Sequence, residues 1–140
     1  VDAGTLALSG TARLTSAAMT VAAGAEVSVE SGAALSTSAA LTLDGTLTLS
    51  ATAAELLTLD GGVTGRAVLG GTALTLSNGT FSGAINGTGS LVKTSGGLLS
   101  LSGSNAYSGA TSVNAGTLTL SGTLASTAVR LCTAVRSKEF

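Results

Sequence analysis

The 140-residue chain has no histidine, no proline and no tryptophan, and it holds one cysteine, two phenylalanines and one tyrosine. Each shortage excludes something. Without His, and with a single Cys, neither a conventional zinc site nor a His-based catalytic triad can be built. One Cys allows no intramolecular disulfide. Charged residues are 9% of the chain and the net charge is −1. That gives no electrostatic footprint for nucleic acid or an anionic membrane. Gly, Ser or Thr interrupts every apolar stretch, so no run of about 18 residues could span a bilayer as a helix. Residues 1–10 lack the basic start and apolar block of a signal peptide. If the protein is exported, its signal is expected outside this chain. No cofactor is expected.

What is present is equally narrow. Gly, Ala, Leu, Thr and Ser make up 107 of the 140 residues. Hydrophobic residues reach 44%, mostly Leu, Ala and Val, and mean hydropathy is +0.56. A compact core takes much of its buried area from aromatic side chains, and three aromatics cannot supply it. A thin core repeated many times fits better. Helix is disfavoured because Gly, Ser and Thr punctuate every window. Strict alternation is the stronger signal. Leu41-Thr42-Leu43, Leu47-Thr48-Leu49, Leu74-Thr75-Leu76, Leu99-Ser100-Leu101 and Leu118-Thr119-Leu120 each place Leu on one face of a strand and a hydroxyl on the other.

A short repeat, Gly-Thr-Leu-x-Leu, starts at Gly4, Gly45 and Gly116, with a variant at Gly71. The total separation divides into five steps of about 22 residues, a solenoid period. All-β strands at that period predict a right-handed parallel β-helix of about five to six coils, each stacked about 4.8 Å from the last. The predicted aliphatic ladder is Leu47, Leu49, Leu74, Leu76, Leu91, Leu99, Leu101, Leu118 and Leu120. The absence of Pro suits coils paired on both sides. The alternative is a β-sandwich, with hairpin turns at Asn78-Gly79 and Asn86-Gly87.

One segment is more specific. Residues 87–93 read Gly-Thr-Gly-Ser-Leu-Val-Lys. Residues 97–103 follow as Gly-Leu-Leu-Ser-Leu-Ser-Gly, then 105–111 as Asn-Ala-Tyr-Ser-Gly-Ala-Thr, then 113–118 as Val-Asn-Ala-Gly-Thr-Leu. This order resembles the autotransporter-associated β-strand repeat, also called the passenger-associated transport repeat. Its motif residues here are Gly87, Gly89, Lys93, Asn105, Tyr107, Gly109 and Gly116. Val1-Asp2-Ala3-Gly4-Thr5-Leu6 looks like the tail of an earlier copy of Val113-Asn114-Ala115-Gly116-Thr117-Leu118. The resemblance implies a β-helical stalk segment of a Gram-negative autotransporter passenger, extracellular or on the cell surface, within a larger exported protein and often of adhesin type. It implies neither a barrel nor membrane insertion from this segment, and the scattered carboxylates argue against an enzyme.

Other candidate sites have bland readings. Lys93, Asn105 and Tyr107 could form a polar site, but Asn capping a corner, Tyr plugging one and Lys as a solvated strand residue account for them. Asp44 and Asp60 both lie close to glycines and read as turn residues rather than as a carboxylate pair of a carbohydrate-cleaving β-helix. Thr46/Thr48 and Thr117/Thr119 suggest an ice-binding hydroxyl array, though they are irregularly spaced in the sequence. Residues 1–125 read as the repeat segment, with 87–120 the best-matching repeat. Residues 126–140 break the pattern, with Cys132 and a Glu139-Phe140 ending that an in-frame cloning site would encode. They read as a cap or an appended tail. Open coil ends predict a homo-oligomer. A host-surface ligand or glycan is a further possible partner.

Overall fold

A computed structural model of the chain describes residues 2–15, 17–35, 40–51, 53–125, 129–131 and 136–139. The described residues are all strand and turn, and the strands follow one another around a three-sided coil. The first coil holds β1 (Thr5–Leu8), β2 (Arg13–Leu14) and β3 (Ala18–Val21), and the second holds β4 (Glu26–Val29), β5 (Ala34–Leu35) and β6 (Ala40–Leu43). Next come β7 (Thr46–Leu49) and β8 (Ala53–Asp60), then β9 (Arg66–Leu69) and β10 (Ala73–Phe81). In these two coils one long strand runs through a corner and serves two sides. Then follow β11 (Ala84–Gly87), β12 (Ser90–Lys93) and β13 (Leu98–Leu101), and after them β14 (Ser104–Tyr107), β15 (Thr111–Val113) and β16 (Thr117–Leu120). The last strands are β17 (Thr123–Leu124), β18 (Val129–Leu131) and β19 (Arg136–Glu139).

Each strand pairs in parallel with the strand one coil away. Side one is the sheet β1-β4-β7-β9-β11-β14-β17. Side two joins the first half of β8, the first half of β10, β12, β15 and β18, with the β2–β5 pair on the same side of the earlier coils. Side three joins β3, β6, the second half of β8, the second half of β10, β13, β16 and β19. The chain is thus a parallel β-solenoid of about six turns. The sandwich alternative is overturned, because every strand pairing described is parallel. Asn78-Gly79 is no hairpin turn either. It lies inside β10, just past the corner at Ser77, where Gly79 at φ 139° pairs with Leu99 on side three.

The period differs from the expectation. Successive rungs of side one are offset by 21, 20, 20, 18, 20 and 19 residues, so a coil takes about 20, not 22. The reason is that Gly-Thr-Leu-x-Leu marks entry into a strand and not a fixed phase of the coil. It opens β1 and β7 on side one, its variant opens β10 on side two, and the copy at Gly116 opens β16 on side three. The apparent earlier copy at Val1–Leu6 therefore leads into a different side of the coil from Val113–Leu118. What three of the four entries share is local. Gly4, Gly71 and Gly116 have φ of 81°, 79° and 78°, a left-handed turn that Gly makes at no steric cost.

The core is a set of side-chain columns along the axis. Alternation points every second residue inward, and parallel register stacks like positions. On side one the inward columns include Val27, Leu47, Ala67 and Ile85, and beside them Val29, Leu49 and Leu69, all with no exposed surface. On side three they include Leu43, Phe81, Leu101 and Leu120. Full burial of a Leu or Val is worth about 1.5–3 kcal/mol relative to exposure. The thin core is thus the sum of many such increments. The two described aromatics each follow a glycine rung. Phe81 pairs with Gly61, and Tyr107 pairs with Gly87. An empty position beside a ring keeps the column volume nearly constant.

One corner limits the whole stack. Each strand of side one from β9 onward is preceded by Gly: Gly65, Gly83, Gly103 and Gly122. A Cβ added at Gly83, Gly103 or Gly122 would fall on the carbonyl oxygen of Gly65, Gly83 or Gly103 in the coil before. The same carbonyls of Gly65 and Gly103 accept the Ala84 and Thr123 N–H groups at 3.0 and 3.2 Å. Backbone approaches backbone at the rung distance, and no side chain fits between. Gly103→Ala should therefore cost about 1–3 kcal/mol, as overpacking does. Gly96→Ala, where an added Cβ meets nothing within 4 Å, should stay within about 0.5 kcal/mol of the parent. Urea midpoints of the two variants check this, and equal midpoints would contradict the corner geometry.

Candidate functional site

The predicted polar residues all point into the core, one to each corner. Lys93 ends β12 at an inward position, between Leu76 in the coil before and Val113 in the coil after. It is not the solvated residue the sequence suggested, being only 1% exposed. Its alkyl stem continues the aliphatic column. Its ammonium then turns to the corner between sides two and three, donating to Ser77 O at 2.6 Å and Ser95 O at 2.7 Å. Ser95 Oγ donates to the same Ser77 carbonyl at 2.7 Å. The amine thus ties two successive corners together. Burial pushes its pKa below the ordinary 10.5.

Asn105 lies on side one, between Ile85 and Leu124. Its Nδ2 donates to Gly103 O at 3.1 Å, at the glycine corner. Its Oδ1 is buried without a hydrogen-bond partner. Tyr107 sits two residues on, fully buried, with its hydroxyl 2.6 Å from Thr111 Oγ1 across the corner to side two. Burial raises the tyrosine pKa above 10.0, against the opposing effect of the Thr111 hydrogen bond. Gly87, Gly89 and Gly109 shape that same corner. A Cβ on Gly89 would strike Thr72 O, and one on Gly109 would strike Gly89 O. Gly116 is the strand-entry glycine of β16.

Sequence reading missed Thr72. It is fully buried at the corner position later taken by Gly89, and its hydroxyl donates to Ala51 O at 2.6 Å, with Leu49 O at 3.1 Å. The one clue is the extra residue in Gly71-Thr72-Ala73-Leu74, which moves the Thr off the strand and into the turn. The nine ladder leucines are all buried, with Leu120 the most exposed at 2%. They lie on all three sides.

No described arrangement draws these groups into one cleft. The hydrogen bonds of Lys93, Asn105 and Tyr107 lie at three different corners. Asp44 Oδ1 accepts from Gly62 N and Asp60 Oδ1 from Thr80 N, both at 2.8 Å, so each carboxylate is bonded to the backbone of the following coil. Among the described residues, no three of His, Cys, Asp and Glu gather around a common point. No described helix is long and apolar enough to cross a membrane. In the tail, β18 and β19 continue sides two and three in register. Cys132 and Phe140 lie outside the described residues.

The polar groups of this parallel β-solenoid are bonded at its corners, and part of its sequence matches a known repeat. The passenger-associated-transport-repeat family matches residues 91–120. That stretch runs from β12 to β16, and includes Lys93, Asn105, Tyr107, Gly109 and Gly116. No curated protein and no solved structure matches the chain. The repeat and the solenoid together support a structural segment of an autotransporter passenger, from an exported, surface-associated protein.

Two measurements test the corner assignments. In the folded chain the Lys93 pKa lies below that of the unfolded chain, so the unfolded state binds more protons between those values. Stability should rise with pH across that window and reach its full value above about 10.5. Tyr107, raised when folded, opposes this above about 10.0. Lys93→Met should abolish the rise and leave the fall, as read from urea midpoints between pH 7 and pH 11. An unchanged rise would contradict the burial of Lys93. Asn105→Leu removes an unpartnered oxygen and restores an aliphatic column, at the loss of one hydrogen bond of about 1 kcal/mol. It should leave the thermal midpoint equal or higher, whereas a clear fall would mean that Oδ1 has a partner.

Proposed function

We propose that the chain is a non-enzymatic stalk segment of a surface-displayed passenger, serving as scaffold in an adhesin-type protein. The observation that carries this is the coincidence of the repeat with the coil. The motif residues are spent on columns and corners, and none is left as a convergent reactive group. A carbohydrate-cleaving reading would want neighbouring carboxylates free to act, whereas Asp44 and Asp60 are bonded to backbone. A carbohydrate-binding reading would favour an exposed ring for stacking, whereas Phe81 and Tyr107 have no exposed surface.

The test is display. Placed between a signal peptide and an outer-membrane translocator, the chain should reach the surface of intact Gram-negative cells and resist added protease there. Retention in the periplasm, or rapid digestion at the surface, would contradict the reading. In solution we propose that the 140-residue chain self-associates. The strands β1, β2 and β3 pair on one edge only, and such edges recruit further strands. Light scattering should give a multiple of 13.2 kDa. A monomer at all concentrations would contradict that association.

A further inference from the structure

The three sides differ in chemistry, and side three is nearly free of charge from β3 to β16, whereas its last strand, β19, brings Arg136, Lys138 and Glu139. Arg13 and Glu55 lie on side two, and Glu26 and Arg66 on side one. From β3 to β16, side three carries one ionisable residue, Asp60. Its outward column, rung by rung, is Thr20, Thr42, Asp60, Thr80, Ser100 and Thr119. Asp60 and Thr80 are neighbours, because Thr80 N donates to the Asp60 carboxylate at 2.8 Å. Five of six rungs therefore bear a hydroxyl, and four of those also bear a methyl. The second outward column is Ala18, Ala40, Thr58, Asn78, Leu98 and Thr117, with Thr58 and Asn78 joined by a 2.8 Å hydrogen bond and Leu98 half-exposed. The sequence pair Thr117/Thr119 belongs to this array, but Thr46/Thr48 lies on side one.

We infer that side three is a binding face for ice, the ligand being the ordered water of a crystal surface. Strand pairing fixes the hydroxyl repeat at about 4.8 Å along the axis, close to the water repeat in the ice lattice. Hydroxyls and methyls stand side by side on a sheet surface whose strands from β6 to β16 are paired on both edges. The hydroxyls hydrogen-bond lattice water, and the methyls fill the troughs between. Near-neutrality matters, because charged groups order water radially rather than into a lattice. The same features argue against other occupants. From β3 to β16 the face has no exposed ring and so gives a sugar no stacking platform.

The experiment is inhibition of ice recrystallisation by the full chain, with binding of fluorescently labelled chain to a growing ice crystal as the second readout. Thr80→Lys puts a long charged side chain into the column, and Thr48→Lys puts the same side chain on side one. The parent and Thr48→Lys should both suppress grain growth and coat the crystal. Thr80→Lys should lose both effects while keeping its circular dichroism spectrum. If Thr80→Lys fails to fold, Ser100→Lys replaces it. A parent chain that leaves grain growth unchanged overturns the proposal, as does equal retention or equal loss of activity in the side-one and side-three variants.

Discussion

The parallel hydrogen bonds that run along the solenoid axis fix the spacing on which everything else depends. Each coil lies about 4.8 Å from the next, and this holds at the corners as well as in the strands. Where the chain turns, the carbonyl of one coil comes directly under the Cα of the next. The Gly83, Gly103 and Gly122 positions follow from that close approach, whereas Ala25 is accommodated before β4 in an earlier coil. The same spacing makes the core a set of columns. A residue's neighbours are then those about 20 positions before and after it in the chain. Volume is balanced along each column, as where Tyr107 follows Gly87 and Phe81 follows Gly61.

Polar groups inside such a core survive only by reaching a corner. There the turning backbone presents carbonyls that the ladder leaves without a partner. Lys93 uses two of them and Thr72 the Ala51 carbonyl, while Asn105 shares the Gly103 carbonyl with the Thr123 N–H. A buried charge without a counter-ion is costly, and two short hydrogen bonds offset part of that cost for Lys93. The repeat's polar signature is in this sense a fastening pattern. Its residues look functional in a linear sequence because they are chemically conspicuous among Leu, Ala and Gly. Their bonding partners are backbone atoms or a neighbouring threonine.

Alternation made the strands legible. Leu47-Thr48-Leu49 and Leu118-Thr119-Leu120 are strands with Leu inward, and the ordered motif from Gly87 to Leu118 pointed to the family matched over residues 91–120. The coil period was not legible, because the Gly-Thr entry serves any side and so appears at unequal intervals. Lys93 was not legible either. Its neighbours Leu91 and Val92 allow both phases, and only the register with Leu76 and Val113 sends it inward. Of the hydroxyl column of side three, only Thr119 was legible, in the Thr117/Thr119 pair. Its members are separated by whole coils of uneven length, so no sequence motif joins Thr42 to Thr80.

Lys93 offers the most direct test, since its burial requires the strand phase, the register and the corner together. The chain contains only two lysines, Lys93 and Lys138. Brief acetylation of the folded protein with an amine-reactive ester, followed by peptide mass spectrometry, reads Lys93 by itself. The stacked-coil account predicts that Lys93 stays unmodified in the native protein and becomes modified in urea. Rapid native acetylation of Lys93 would place its amine in solvent and contradict the core described here.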